Sequence, residues 1–350
     1  MQQITVQHGA PLWAGFGVGV ASAACFGIAG ALGKPLLLAG WTPAAVALLR
    51  VGGGALLLLP WVLWGMQGKW HRLRHHGTAV LGYGLFGVAG AQLAYFSAVE
   101  TLSVAVALLL EYSAVVLVVG WMWIRHAQRP TRLTGAGVLL ALAGLVLVLG
   151  LLGGATISVI GVLWALGAAV GLAVYFVLSA DDRDDPLPPV ALAGLGLSVG
   201  AVVIGIACAA GLFTLRADVA AVTMAGESVA WWVPGTSLIV FAAVLAYSAG
   251  IVAARRLGAR LMSFVGLTEV LFAVGFAWLL LGEQPGALQA VGGVLLVVGV
   301  VVVRLGETRL PADAPHLPGD HSPLDLVPPG PGDEPVRPSA ARTEETCDVP

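Results

Sequence analysis

Residues 118–133 read "VVGWMWIRHAQRPTRL", and residues 273–288 read "AVGFAWLLLGEQPGAL". Offset by 155 residues, the two lie on each other without a gap. Gly120 meets Gly275, Trp123 meets Trp278, Pro130 meets Pro285 and Leu133 meets Leu288. The register continues downstream, where Gly137 meets Gly292 and Gly144 meets Gly299. Gly and Leu are abundant enough to coincide by chance. Trp and Pro at one shared offset are not, so the chain carries one pattern twice.

The material being repeated is lipid-soluble. The chain is 58% hydrophobic and 10% charged over 350 residues, with a mean hydropathy of +0.93. Soluble domains carry about 25% charged residues, so this chain has too little polar surface for a water-facing globule. A net charge of −2 leaves no nucleic-acid footprint. Cys25, Cys208 and Cys347 are too scattered for a disulfide or zinc framework. No cofactor or metal is expected. "ADDRDDP" at 180–186 and "HRLRHH" at 71–76 read as a helix end and a basic interfacial loop.

Ten apolar segments are long enough to cross a bilayer, at about 11–33, 43–65, 78–98, 103–124, 132–152, 159–180, 188–213, 235–256, 260–281 and 286–304. Backbone groups in lipid must pair within their own segment, and the period-2 alternation of a barrel is missing, so the fold class is all-α. The segments group as 1–10, a short N-terminus; 11–152, a first five-helix repeat; 159–304, a second; and 305–350, a Pro-rich, acidic tail expected to be disordered. Met1–Ala10 holds no Lys or Arg, so the first apolar stretch reads as a retained helix and not a cleaved signal.

Five helices per repeat is an odd number, so the second repeat must enter the membrane from the opposite side. The charges agree. With the N-terminus inside, Lys69, Arg72, Arg74, Arg125, Arg129, Arg132, Arg183, Arg255, Arg256, Arg260, Arg304 and Arg309 are all cytoplasmic, against Lys34 and Arg216 outside. Both termini are therefore expected in the cytoplasm of a multi-pass cytoplasmic-membrane protein. Inverted repeats are a recurring plan of secondary transporters, with the substrate site near the midplane.

"LLEYSAVVLVVGWMW" (109–123), "AQRPTRLTGAGVLLALAG" (127–144) and "RLMSFVGLTEVLFAVGFAWLLLGEQPGALQAVGGVLLVVG" (260–299) resemble the EamA-type branch of the drug/metabolite transporter superfamily, as does "VALLR" around Arg50. The resemblance spans about residues 11–304. It departs at Val115 and Val270, where that family usually places proline. It implies export of amino acids, related metabolites or drugs, often coupled to protons, with no enzymatic activity. The partners implied are a small-molecule substrate, protons and the lipid bilayer. The rival readings are a membrane-embedded enzyme, a structural or regulatory membrane protein and, within transport, a phosphorylated-sugar or nucleotide-sugar exchanger. That exchanger would need several cationic groups in its cavity.

Glu111 and Glu269 lie near the centres of their expected segments, where a charged side chain costs about 2.5–3.5 kcal/mol on insertion scales. Each is either a proton or substrate-amine carrier or a neutral acid bonding helix to helix. Small residues flank both, Ala107 and Ala114 around one, Gly266 and Ala273 around the other. Arg50 sits roughly 10 Å into the second segment at 1.5 Å per residue. It either pairs with an acid or a substrate carboxylate, or snorkels outward. Lys34 reads as an interfacial anchor. Tyr95 with Gln92, Tyr112, Tyr175, and Tyr247 with Ser248 are candidate cavity-lining groups.

Overall fold

The structure is a computed structural model that describes residues 12–114, 117, 132–148, 158–179, 187–266, 268–284 and 286–308. The rest of the fourth expected segment, with Trp121 and Trp123, lies outside the described residues. So do the aspartate run, residues 1–11 and the tail from 309.

Among the described residues the chain is almost entirely helical. α1 is Leu12–Leu38 and α2 Pro43–Gly65. α3 runs without interruption over Arg72–Thr101, passing through a π-helical stretch at Tyr83–Gly90. α4 is Val104–Glu111, α5 Arg132–Val148, α6 Val159–Ser179 and α7 Pro189–Ala209. α8 begins at Trp232, becomes π-helical at Leu238–Leu245 and continues over Ala246–Gly266. α9 is Thr268–Leu281 and α10 Ala287–Thr308. Among the described residues six helices are long and apolar enough to cross a membrane: Ala14–Leu38, Pro43–Gly65, Arg72–Thr101, Val159–Ser179, Pro189–Ala209 and Trp232–Leu257.

The ninth segment is expected to start at 260, and contacts with α1 fit that start. From Ser22 on Ala246 to Gly15 on Leu257 the chain runs against α1, and from Gly19 on Met262 to Gly27 on Ala273 it runs with it. Gly15 packs on Arg256 and Leu257, Gly19 on Met262 and Val265, and Gly27 on Glu269 and Ala273. The all-α class holds for the described helices, with one small addition. After α7 the chain forms a small antiparallel hairpin, β1 (Val222–Met224) against β2 (Glu227–Val229), paired Val222 to Val229 and Met224 to Glu227. Ala225 and Gly226 turn it with φ of 51° and 82°. Two consecutive positive φ angles are what the twist of a two-residue hairpin demands.

The repeat seen in the sequence is written into the backbone. The π-helical stretches begin at Tyr83 and Leu238 and end at Gly90 and Leu245. Each pair is separated by the same 155 residues as the tryptophans and prolines.

α1 stands at the middle, against α2, α3, α4, α8 and α9, while α5 and α10 pack along each other. Lipid gives helices no hydrophobic reason to associate, so close packing of small residues has to supply the attraction. A Cβ on Gly27 would meet the Glu269 carbonyl at 2.9 Å, and one on Gly171 would meet the Ala91 backbone at 2.8 Å. Large apolar side chains such as Leu56, Trp64, Leu163, Leu271 and Val294 are exposed on the outside of the bundle. That is the arrangement a hydrocarbon solvent requires.

Glycines that touch backbone should be intolerant of a methyl group, and glycines in open space should not be. Gly171→Ala is expected to lower stability by about 1–3 kcal/mol through overpacking against α3. Gly205→Ala, with nothing within 4 Å of its Cβ position, is expected to be neutral or slightly stabilising. Thermal unfolding of the two purified variants in one detergent checks the difference.

Candidate substrate site

α2 starts cleanly because Thr42 is extended and Pro43 takes the first helical position, where a missing N–H costs nothing. Seven residues later Arg50 faces the bundle centre. It does not snorkel: it is 2% exposed. Its Nε and Nη2 donate to the Ala242 carbonyl at 3.1 and 2.6 Å. Nη1 donates to Gln92 Oε1, and Gln92 Nε2 donates to Tyr247 Oη at 2.9 Å. The guanidinium also lies over the rings of Phe26 and Phe96, at 5.8 and 6.0 Å. Ala242 belongs to the π-helical stretch of α8, a geometry that loosens the regular bonding ladder and recurs at functional sites.

Beside this network is a cavity of about 50 Å³, room for a few water molecules. Arg50, Tyr95, Glu111, Tyr112, Tyr175, Tyr247 and Glu269 all line it. Seven of the residues singled out from the sequence as candidates thus reach one place. Gln92 joins them, whereas Ser248 is not among the lining residues. Phe26 is an addition that sequence reading did not supply. Its ring meets Tyr175 and Tyr247 edge-on at 5.9 and 5.0 Å, and Tyr175 meets Tyr247 at 5.7 Å. The three form an aromatic wall below the guanidinium. Tyr83, fully buried against Tyr175, was also passed over. In an apolar chain a lone Phe gives no signal, and only its neighbours reveal it.

The charges in the cavity are not paired off. Among the described residues no carboxylate comes within 4.0 Å of Arg50, and the one ion pair is elsewhere, between Lys34 and Glu283. Glu111, 8% exposed, closes α4. Glu269 lies in the first turn of α9.

Tyr112, immediately after Glu111, ties the two acid-bearing helices together. Its hydroxyl oxygen is 2.6 Å from the Gly266 carbonyl and 2.9 Å from Glu269 Oε2. A phenol has one proton, and a carbonyl can only accept. When that proton goes to Gly266, a neutral Glu269 completes the second bond by donating to the phenol. An ionised Glu269 has to compete with Gly266 for it. The hydroxyl therefore distinguishes the two protonation states of Glu269.

The profile of the EamA-like transporter family matches residues 13–150 and again residues 159–305. The chain belongs to the EamA-like transporter family. The two matches fall on the two halves related by the internal repeat, and the family is one of membrane transporters. A solved protein structure 21% identical to this EamA-like chain superposes with a TM-score of 0.58, over 85% of this chain and 98% of its own. At that identity it shows a shared fold and no more. No curated protein matches the chain significantly.

Arg50→Lys should expose how much the site depends on a planar fork. An ammonium cannot hold Ala242 and Gln92 in the guanidinium's geometry, and a buried acceptor left short of a donor costs about 1–3 kcal/mol. The variant is expected to insert normally but unfold at lower temperature than the parent. Equal melting temperatures would show that Ala242 and Gln92 find other donors.

Proposed function

We propose that this protein is a secondary transporter that exports a small zwitterionic metabolite, an amino acid or a related compound, across the cytoplasmic membrane in exchange for protons. The observation that carries this reading is the cavity itself. It holds one guanidinium and two carboxyl groups without pairing them to each other. A zwitterion complements that set, its carboxylate toward Arg50 and its ammonium toward Glu111 or Glu269. The aromatic wall of Phe26, Tyr175 and Tyr247 suits an apolar side group or the face of a cation.

The proton part rests on Tyr112. If Glu269 exchanges a proton for the substrate's ammonium, the hydroxyl changes partner and the contact between Gly266 and α4 is remade. A local protonation event then becomes a movement between helices of opposite repeats. A sugar-phosphate exchanger fits less well, because Arg50 is the sole Lys or Arg among the described residues lining the cavity. The distribution of Lys and Arg supports ten membrane crossings in two inverted repeats with cytoplasmic termini.

The decisive measurement is flux into inverted vesicles, using a panel of amino acids and related compounds with and without a proton gradient. The parent should accumulate at least one compound only when the gradient is imposed. Glu269→Gln keeps size and hydrogen bonding but cannot release a proton. It is expected to lose gradient-driven accumulation while retaining counterflow exchange. Near-normal, gradient-dependent flux in Glu269→Gln would end the proton-carrier assignment.

Reporter fusions give a separate check on topology. Those joined after residues 70 and 308 should both report the cytoplasm, and a periplasmic C-terminal reporter would remove the inverted arrangement.

A further inference from the structure

Away from the central cavity, the chain builds a second polar cluster from groups that no transport step above uses. Lys34, near the end of α1, pairs with Glu283 at 3.2 Å, with the two side chains 17% and 24% exposed. Lys34 Nζ also donates to the Leu102 carbonyl at 2.8 Å, where α3 ends. The other oxygen of Glu283 accepts from the Val104 amide at 3.1 Å, at the first residue of α4. From just beyond α9, one carboxylate thus caps α4 and holds α1. Capping by an anion suits the positive end of a helix, and Ser103 completes the cap by accepting from Val106 N.

Glu283 is held in place as firmly as it holds others. Gly282, at φ 69°, turns the chain off α9. The Gly282 and Glu283 amides then bond the carbonyls of Trp278 and Ala277 at 3.0 and 3.2 Å. The β-hairpin docks alongside, with Ala225 N donating to Leu280 O at 2.8 Å.

We propose that the Lys34–Glu283 pair is the latch of the outer gate, the contact that keeps the cavity closed to the outside and must break for release. The inference rests on the transport reading for what passes the gate, and on geometry for the gate itself. α4 carries Glu111 at its far end and α9 carries Glu269 at its far end, so the two acids hang from helices tied together at one point. The cavity is too small for a metabolite, so these helices have to part. α1, α4 and α9 each contribute to the lining, through Ala29, Leu108 and Glu269. At one end these helices are joined through Lys34, the Leu102 carbonyl and Glu283. The latch is also one-sided in the sequence. Gln128 stands where the repeat offset puts Glu283, so the first repeat lacks the acid at this position.

The test uses the full chain with Cys25, Cys208 and Cys347 changed to Ser and a single reporter, Leu108→Cys, in the cavity wall. A membrane-impermeant maleimide is applied from outside to cells, and the labelling rate is measured. Lys34→Met and Glu283→Gln are each expected to speed labelling several-fold by raising the population open to the outside. Glu283→Gln retains an oxygen for the Val104 amide, so it separates loss of the latch from loss of the helix cap and of folding. The charge exchange Lys34→Glu with Glu283→Lys should bring the rate back toward the parent's. Unchanged labelling in both single variants, in protein that still performs substrate counterflow, would overturn the latch and leave the transport reading intact. Faster labelling in a protein that exchanges no compound of the panel would support the latch and remove the transport reading.

Discussion

A guanidinium at the centre of a helix bundle in lipid has to find its acceptors there, because hydrocarbon offers none. Arg50 finds them in a backbone carbonyl 192 residues away and in Gln92, which is itself anchored on Tyr247. Satisfying this one group brings α2, α3 and α8 to a common point. It also makes a π-helical stretch useful, since a regular α-helical carbonyl is already engaged along its own helix. The aromatic rings of Phe26 and Phe96 then close over the cation from α1 and α3. The cavity is what remains between this network and the two acid-bearing helices, so its position is set by where Arg50 can be satisfied.

The two halves agree in backbone and differ in side chains, and the difference has a physical pattern. The π-helical stretches recur at the 155-residue offset because both halves must solve the same packing problem in the same solvent. The chemistry appears once. Gly87 stands opposite Ala242, Ala114 opposite Glu269 and Gln128 opposite Glu283. The two matched halves thus share a scaffold pattern and differ in where their charges sit.

How much of this was legible in the sequence follows from what lipid makes visible. A polar group in an apolar run is costly, so Arg50, Glu111, Glu269 and the tyrosines stood out one by one, and they share a cavity because a cavity is where costly groups are tolerated. Partnerships across the chain were not legible. Nothing in "VALLR" points to Ala242, and nothing marks Phe26 among its apolar neighbours. Lys34 looked like an interfacial anchor because its depth alone fits that role. Its tie to Glu283, on the repeated stretch itself, emerges only when the ends of α1, α3 and α9 meet. The hairpin was missed because Val222–Val229 is too short to register beside segments of membrane-spanning length.

The glycine contacts bear on how such a bundle can move. Where Gly27 lies against the backbone at Glu269 and Gly171 against Ala91, there is no side chain between helices to deform. Surfaces that close cannot bend past each other gradually; they slide or separate as units. Among the described residues the helices are interrupted at Leu102–Ser103, between α3 and α4. There Glu283 accepts from the Val104 amide and Lys34 donates to the Leu102 carbonyl, so a small change in hydrogen bonding at that joint repositions whole helices.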